Sequence, residues 1–336
     1  MARRKKTEAV DVAGVGLNAT DTMIRLPHFP ALDTKVEILS ADVHAGGQVA
    51  SAIVACKRWG LRVRYSGKVG DDAAGDFQRE EMRREGVWAN WVIARGRSSQ
   101  IAYILVDQIS GERTVLWKRD AGIALQPGEV RKEWVAGANV LLVDGHDTAA
   151  AARAAKWASE SNTLTVGDFD NRYPGVEKLL HFVHYPITSK DFPRRLTGEK
   201  KLLKALPRIF DEYKCRASGA TLGRLGAVVW DGERFHLSPG FRVKAVDTTG
   251  AGDVFHGAFA YGLVKGWAMD EILEFSCAAA ALNCTAVGAR GGIASIAQIE
   301  RLRRTGKKSE RAYSDEELKR AAMAARRASG AAKGAR

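Results

Sequence analysis

The sequence predicts an α/β fold: a mostly parallel central sheet with helices on both faces, and a small separate β-sheet beside it. Three observations point there. Strand and helix patterns alternate over most of the 336 residues, and repeated βα units form a parallel sheet covered by helices on both faces. Polar residues recur where those strands end, the edge at which open α/β sheets bind ligands. A separate group of alternating segments, at about residues 20–43 and 99–119, reads as the strands of the small sheet.

Residues 9–16 read as a buried first strand. Gly14-Val15-Gly16-Leu17-Asn18-Ala19 then matches the GxGxxA fingerprint of dinucleotide sites. That fingerprint needs a helix to open there. Thr20-Asp21-Thr22-Met23-Ile24 is β-branched and is stopped by Pro27 and Pro30, so the dinucleotide reading fails. Residues 34–43 alternate loosely, and Ile101–Asp107 and Arg113–Lys118 alternate across a Ser110-Gly111 turn. These make the small sheet. Ala45-Gly46-Gly47 precedes a helix, Val49 to Trp59, ended by Gly60.

The βα alternation follows. Arg62–Val69 is a strand and Phe77–Glu85 a helix; Leu141–Val143 is a strand and Ala149–Ser159 a helix; Thr163–Asp168 is the next strand. Asp144, Asp168 and Ser189 fall at carboxyl ends of strands. His181 and His184 lack a third ligand at zinc spacing, so they read as core or surface histidines. A long helix, Glu271 to Thr285, leads into Ala286-Val287-Gly288-Ala289-Arg290-Gly291-Gly292.

Composition narrows the class. The chain is 46% hydrophobic, and no apolar run reaches the ~18 residues that span a bilayer. Met-Ala-Arg-Arg-Lys-Lys at the start has no apolar segment behind it, unlike a secretory signal. Cys56, Cys215, Cys277 and Cys284 show no CxxC pairing and read as reduced thiols of a cytoplasmic protein. The net charge is +13, of which residues 1–8 hold +3 and residues 301–336 hold +8. The body is therefore nearly neutral, which argues against a nucleic-acid partner bound on a folded face. Residues 303–336 are Ala/Arg-rich with few large apolar side chains, so disorder or a loosely attached helix is expected there, outside a body ending near residue 302.

The strongest chemical signal is Asp247-Thr248-Thr249-Gly250-Ala251-Gly252-Asp253-Val254-Phe255-His256-Gly257-Ala258. Small residues run into an apolar helix, Phe255 to Gly266. Their amides can approach a ligand closely, and a helix N-terminus with free amides is an anion site. A carboxylate there is repelled by phosphate, so Asp253 needs another reason to be present. General-base work on an attacking hydroxyl is one; a helix cap is the other, and for GAGD alone the two stand even.

The full string resembles the second signature of the ribokinase-like (PfkB) family of sugar kinases, and the likeness spans about residues 9–302. The resemblance implies a three-layer ribokinase-like fold whose small sheet is a β lid over the sugar (lid strands about 20–43 and 99–119), with Asp253 as base and Gly250, Ala251 and Gly252 as the anion hole. It implies sugar binding by Asp21, five residues after Gly16, and by Gly46 and Gly47 of a GGxxxN-like segment. Ser51 stands where that segment has Asn. One hydroxyl cannot bridge two sugar oxygens as an amide does.

For the nucleotide it implies Ser189, Thr221, Gly223, Gly226, Gly252, Asn283 and Val287, with the loops 220–227 and 286–293 sandwiching adenine. ATP and Mg²⁺ are the implied cofactors, although Ser189 and Phe192 replace the Asn and Glu of the family's NxxE segment. A K⁺ site near Asp247 and Thr249, and a homodimer through the lid, are also implied. Ser189-Lys190-Asp191 and Asn283-Cys284-Thr285 are similar to the ketohexokinase and sulfofructose-kinase branches.

The function expected is an ATP-dependent sugar kinase acting on a primary hydroxyl. A nucleoside kinase of the same fold, with Trp117 of the lid as a base wall, is the second reading. A nucleic-acid binder using basic tails is the third. No GxxxxGK[ST] string occurs, so this is not a P-loop enzyme.

Overall fold

The computed structural model describes residues 10–109 and 113–334, the last five by backbone alone. The basic segment 1–8 and the Ser110-Gly111 turn lie outside the described residues. The first half of the chain runs β1 (Val10–Val15), β2 (Ala19–Leu26), β3 (Ser40–Gly46), α1 (Gln48–Arg58), β4 (Val63–Gly70), α2 (Ala73–Arg84), β5 (Trp88–Ala94), β6 (Ile101–Asp107), β7 (Arg113–Lys118), β8 (Ala138–Asp144) and α3 (Thr148–Glu160). Then come β9 (Leu164–Phe169), α4 (Val176–Leu180), β10 (Tyr185–Ser189), α5 (Phe192–Thr197), α6 (Leu202–Tyr213), β11 (Ser218–Thr221), β12 (Ala227–Trp230) and β13 (Phe235–Ser238). Four helices close the chain: α7 (Ala251–Lys265), α8 (Met269–Asn283), α9 (Ile296–Thr305) and α10 (Asp315–Gly334).

The central sheet has nine strands in the order β13-β12-β11-β10-β9-β8-β1-β4-β5. All neighbours are parallel except β11–β12 and β12–β13. A parallel sheet buried on both faces needs near-continuous apolar strands. In β8, Val140 and Leu142 pack with α1, α7 and α8, whereas Leu141 and Val143 pack with α3 and α4. Gly14 of β1 is where α1 comes closest, since a Cβ there would lie 2.6 Å from Ile53.

The second sheet has the order β3-β2-β6-β7 and is the expected small one. Its third segment differs from expectation: the strand is Ser40–Gly46, not residues 34–43. Pairing explains this. β2 ends at Leu26 before Pro27, and its last partner on β3 is Ser40, opposite Arg25, so residues 34–39 have no strand to join. β2 also follows the Gly14–Ala19 segment directly, in place of the helix a dinucleotide site requires.

The C-terminal segment corrects the expectation of a loose tail. Residues through Thr305 belong to α9, Lys308 bridges to Phe241, and the Ser309 amide donates to the Gly240 carbonyl at 2.7 Å. α10 begins with a reciprocal cap between Ser314 and Glu317. It then buries Leu318 and Ala322 against Leu206, Val228, Trp230 and Phe235. Its apolar stripe is mostly alanine, which composition alone reads as polar; the groove it fills supplies the large side chains. Leu318→Ala should therefore lower stability by about 2 kcal/mol with kcat unchanged, as read by urea denaturation and ADP release. No helix among the described residues is long and apolar enough to cross a membrane.

Candidate active site

The first turn of α7 is the centre of the site. Gly250 caps it in the left-handed conformation (φ 75°), and a Cβ there would lie 2.2 Å from the Ala289 carbonyl oxygen. Only glycine fits. Asp247 holds the approach: one carboxylate oxygen accepts from the Thr249 amide (2.9 Å) and hydroxyl (2.7 Å), the other from the Gly288 amide (2.8 Å). Asn283 braces the same turn, donating to the Thr249 and Ala289 carbonyls. The amides of Gly252 and Asp253, in the first turn, have no intrahelical partner by construction. Gly252 is exposed, with nothing within 4 Å of where a Cβ would be.

Successive residues on a helix point about 100° apart, and here that separates two compartments. Gly252 borders a cleft of about 670 Å³. Asp253, half-buried, feels Asp168, His256, Asp21 and Arg290 on the other side. Desolvation, and after it the Asp168 charge, holds the Asp253 carboxyl well above the ordinary carboxylate range.

The cleft is walled by Leu225, Phe241, Val243 and Ala245 on one side and by Phe255, Ala280 and Ala281 on the other. Its size and mostly apolar lining suit a nucleotide-sized ligand. Of the residues expected at the nucleotide, Thr221, Gly223, Gly226 and Gly252 line this cleft; Ser189, Asn283 and Val287 do not. The Ser189 hydroxyl is turned to the Asp170 carbonyl (3.1 Å), Asn283 is fully buried beneath the turn, and Val287 packs toward Met23, Ala102 and Ile104 of the small sheet. The second wall is therefore helix α8, not the loop 286–293. Ser309 and Glu310 also border the cleft, so the segment beyond residue 302 is not separate from the site.

On the Asp253 side, β2 presents Asp21, whose cross-strand neighbours are His44 and Ala102. A Cβ on Gly46 would lie 2.0 Å from the Asp21 carboxylate, and one on Gly47 (φ 93°) would lie 2.3 Å from the Asn18 backbone. Both glycines are needed for this packing, whatever else they touch. Burial pushes the Asp21 carboxyl up to about 6, against the pull of Arg290. Asn18 Nδ2, His44 Nε2 and Gln48 Oε1 are buried and without a hydrogen-bond partner.

Ser51 departs from expectation. It is 0% exposed and its hydroxyl accepts from Arg290 Nε at 3.2 Å. It supports the site from beneath instead of lining it. Arg290 also donates to the Gly46 carbonyl at 2.9 Å, so the guanidinium braces the Gly46-Gly47 turn.

Sequence reasoning passed over Arg290 and His256. Arg290 is the one cation in a Gly-rich segment, and His256 lies three residues after Asp253 on the same helix face; those were the available signals. The strand-end carboxylates do converge. Asp144 and Asp168 are opposite each other in the β8–β9 ladder. Asp144 accepts from the amides of Leu17 (2.6 Å) and His146 (3.0 Å), tying down the turn after β1. His256 Nδ1 lies 3.2 Å from Asp168. Burial draws the imidazole's proton affinity down, while the carbonyls it faces and Asp253 push it up.

Phe192, in the position of the NxxE glutamate, is fully buried and stacks on Phe169. No group of three or more His, Cys, Asp or Glu among the described residues is arranged to hold a metal.

Comparison with known proteins agrees with this geometry. Residues 17–295 match the pfkB family carbohydrate kinase pattern. The chain is 24% identical over 316 residues to a 5-dehydro-2-deoxygluconokinase of Geobacillus kaustophilus, covering 87% of this chain and 92% of the relative. It is 29% identical over 271 residues to a fructokinase-2 of Solanum habrochaites, covering 73% and 82%. The structure of Arabidopsis thaliana ribokinase complexed with ribose and ATP superposes with a TM-score of 0.74 at 20% identity, covering 88% of this chain and 99% of that one. This chain belongs to the pfkB family of carbohydrate kinases.

Proposed function

We propose that the acceptor is a primary hydroxyl of a small ketose-type sugar, with Asp253 as the general base. Membership of the family makes the chain an ATP-dependent phosphotransferase acting on a sugar hydroxyl. The observation that carries the finer reading is the set of orphaned polar atoms around Asp21, from Asn18, His44 and Gln48, on the Asp253 side of α7. Buried polar groups without partners are costly, and a polyhydroxyl ligand would satisfy them.

In this reading adenine lies between Phe241 and Val243 on one wall and Ala280 and Ala281 on the other. The phosphates reach the N-terminus of α7. Asp253 takes the proton of the sugar hydroxyl as its oxygen attacks the γ-phosphate in line, and the amides of residues 250–253 hold the charge that develops. Mg²⁺, when bound with ATP, would supply further charge neutralisation. The residues present fit a metal held by phosphate and water, since Phe192 offers no ligand and Mg²⁺ seldom uses an all-protein cage. Asp247 already accepts three hydrogen bonds, which makes it the brace of its turn and does not single it out as a K⁺ ligand.

A panel of D-fructose, D-ribose, 5-dehydro-2-deoxygluconate and adenosine with MgATP, read by ADP release, tests the reading. Turnover of adenosine alone would overturn it. The nucleoside alternative has one observation in its favour: Trp117 is 59% exposed and in register with Ala102 and Asp21, hence on the same face of the small sheet. The opposite face carries exposed Val43, Tyr103 and Leu116 in one cross-strand row. On that row rests the proposal that a second copy of the chain pairs through the lid. A cytoplasmic setting suits the four unpaired thiols and the use of ATP.

Asp21→Ala should raise the sugar KM tenfold or more and leave the ATP KM nearly unchanged. A hydrogen bond to a charged group is worth ~1.5–3 kcal/mol, and Asp21 lies in the compartment away from the nucleotide cleft. Equal changes in both constants would remove Asp21 from the sugar site.

A further inference from the structure

We propose that Asp168 and His256 form a buried, net-neutral pair that sets the basicity of Asp253, which makes both of them positioning residues for phosphoryl transfer. This rests on the reading of Asp253 as the base. The geometry is specific. His256 is 2% exposed; its Nδ1 lies 2.7 Å from the Gly252 carbonyl oxygen and 3.2 Å from Asp168 Oδ2, and its Nε2 lies 2.9 Å from the Ile187 carbonyl oxygen. Carbonyl oxygens only accept, and a neutral imidazole has one N–H to give. A neutral ring facing an ionised Asp168 would set the lone pair of one nitrogen against an acceptor.

Two arrangements avoid that conflict at Asp168, and the proposed pair is the first of them, since the second leaves the Nδ1 lone pair against the Gly252 carbonyl. In one, an imidazolium donates from both nitrogens beside the Asp168 carboxylate. In the other, a neutral ring donates from Nε2 to Ile187 and its Nδ1 accepts the O–H of a protonated Asp168. Both hold the same single proton, and in both the pair carries no net charge. The 2.7 Å contact to Gly252 is satisfied only by the first. Burial opposes a charged ring, and the adjacent Asp168 is its compensation.

Neutrality matters because carboxylates crowd this compartment. Asp144 and Asp170 face Asp168 from β8 and from just beyond the end of β9, with Gln48 of α1 bonded to it. Asp253 feels Asp21 from β2 and the opposing charge of Arg290. An uncompensated Asp168 beside Asp253 would hold the base in its protonated, inactive form. The bond from His256 to Ile187 also fastens the first turns of α7 to β10 of the central sheet.

Long-range ¹H–¹⁵N spectra of the full chain at pH 7, with the His256 signals assigned by their loss in His256→Gln, test the pair without any sugar. The expected result is two protonated ring nitrogens, with one proton lost in Asp168→Asn. One bare nitrogen in the parent chain, unchanged in Asp168→Asn, would overturn the proposal. The kinetic test uses whichever of D-fructose, D-ribose or 5-dehydro-2-deoxygluconate turns over fastest. His256→Gln should move the acid limb of kcat/KM upward by about one pH unit, the size of one nearby charge at an intermediate dielectric. Adding Asp168→Asn should bring it back. An unmoved limb in a folded His256→Gln chain would also overturn it. If no sugar is phosphorylated, the sugar reading fails and the spectra still decide the pair. If His256→Gln does not fold, His256→Asn serves for assignment.

Discussion

Asp253→Asn should lower kcat by on the order of 10²-fold or more, the typical contribution of a positioned base, while leaving ATP affinity and the melting temperature near those of the parent chain. The amide keeps the shape of the carboxylate and most of its hydrogen bonding but cannot take a proton. ATP affinity is expected to hold, or to rise slightly, because a negative charge beside the phosphate site is removed. The stability expectation has a local cause: the Asp253 carboxyl is desolvated and lies near Asp168 and Asp21, so its ionised form is held at a cost that Asn does not carry. The pH profile adds a check. A base works when deprotonated, and the pKa of Asp253 is raised, so kcat/KM in the parent chain should fall as pH drops through a value well above the usual carboxylate range. Steady-state kinetics, ATP titration and a thermal melt of Asp253→Asn decide the matter. Near-normal kcat would leave Asp253 as a helix cap only.

Much of the architecture was legible because it is local. The strands Ile101–Asp107 and Arg113–Lys118 were placed to the residue, since each is a short run rich in β-branched and aromatic residues that ends in a charged one. The GAGD turn was legible because Gly250 has a steric reason visible in composition: nothing larger fits against Ala289. What the sequence could not show was decided across the chain. The family resemblance implies Ser51 as a sugar ligand, yet Arg290, 239 residues away, takes its hydroxyl. Val287 reads as a nucleotide wall, yet the small sheet claims its side chain. The alanine-rich α10 looks polar until the groove over α6 and β13 supplies its large partners. The spacing of His256 from Asp253 showed only a shared helix face, because its role depends on Asp168 and Ile187, brought beside it by the β9–β10 ladder.

Gly252→Ala should make the protein more stable and less active at once. Gly252 is the second residue of α7, in helical geometry, with open space where a Cβ would stand. Replacing a helical glycine by alanine stabilises by up to ~1 kcal/mol, less near a helix end. The protein itself therefore gives no reason for glycine at this position. In the proposed reading the reason is the ligand: Gly252 borders the cleft of about 670 Å³ at the end where the helix amides are free, and a methyl group there would occupy the approach of the phosphate oxygens. A fall in kcat/KM for ATP of tenfold or more is expected, alongside a melting temperature equal to or above that of the parent. Gly250→Ala supplies the contrast, since its left-handed backbone and the Ala289 carbonyl oppose any side chain, and it should lose stability and activity together. A fully active Gly252→Ala would show that the transferring phosphoryl group does not pass over this amide, and would move the anion hole away from the first turn of α7.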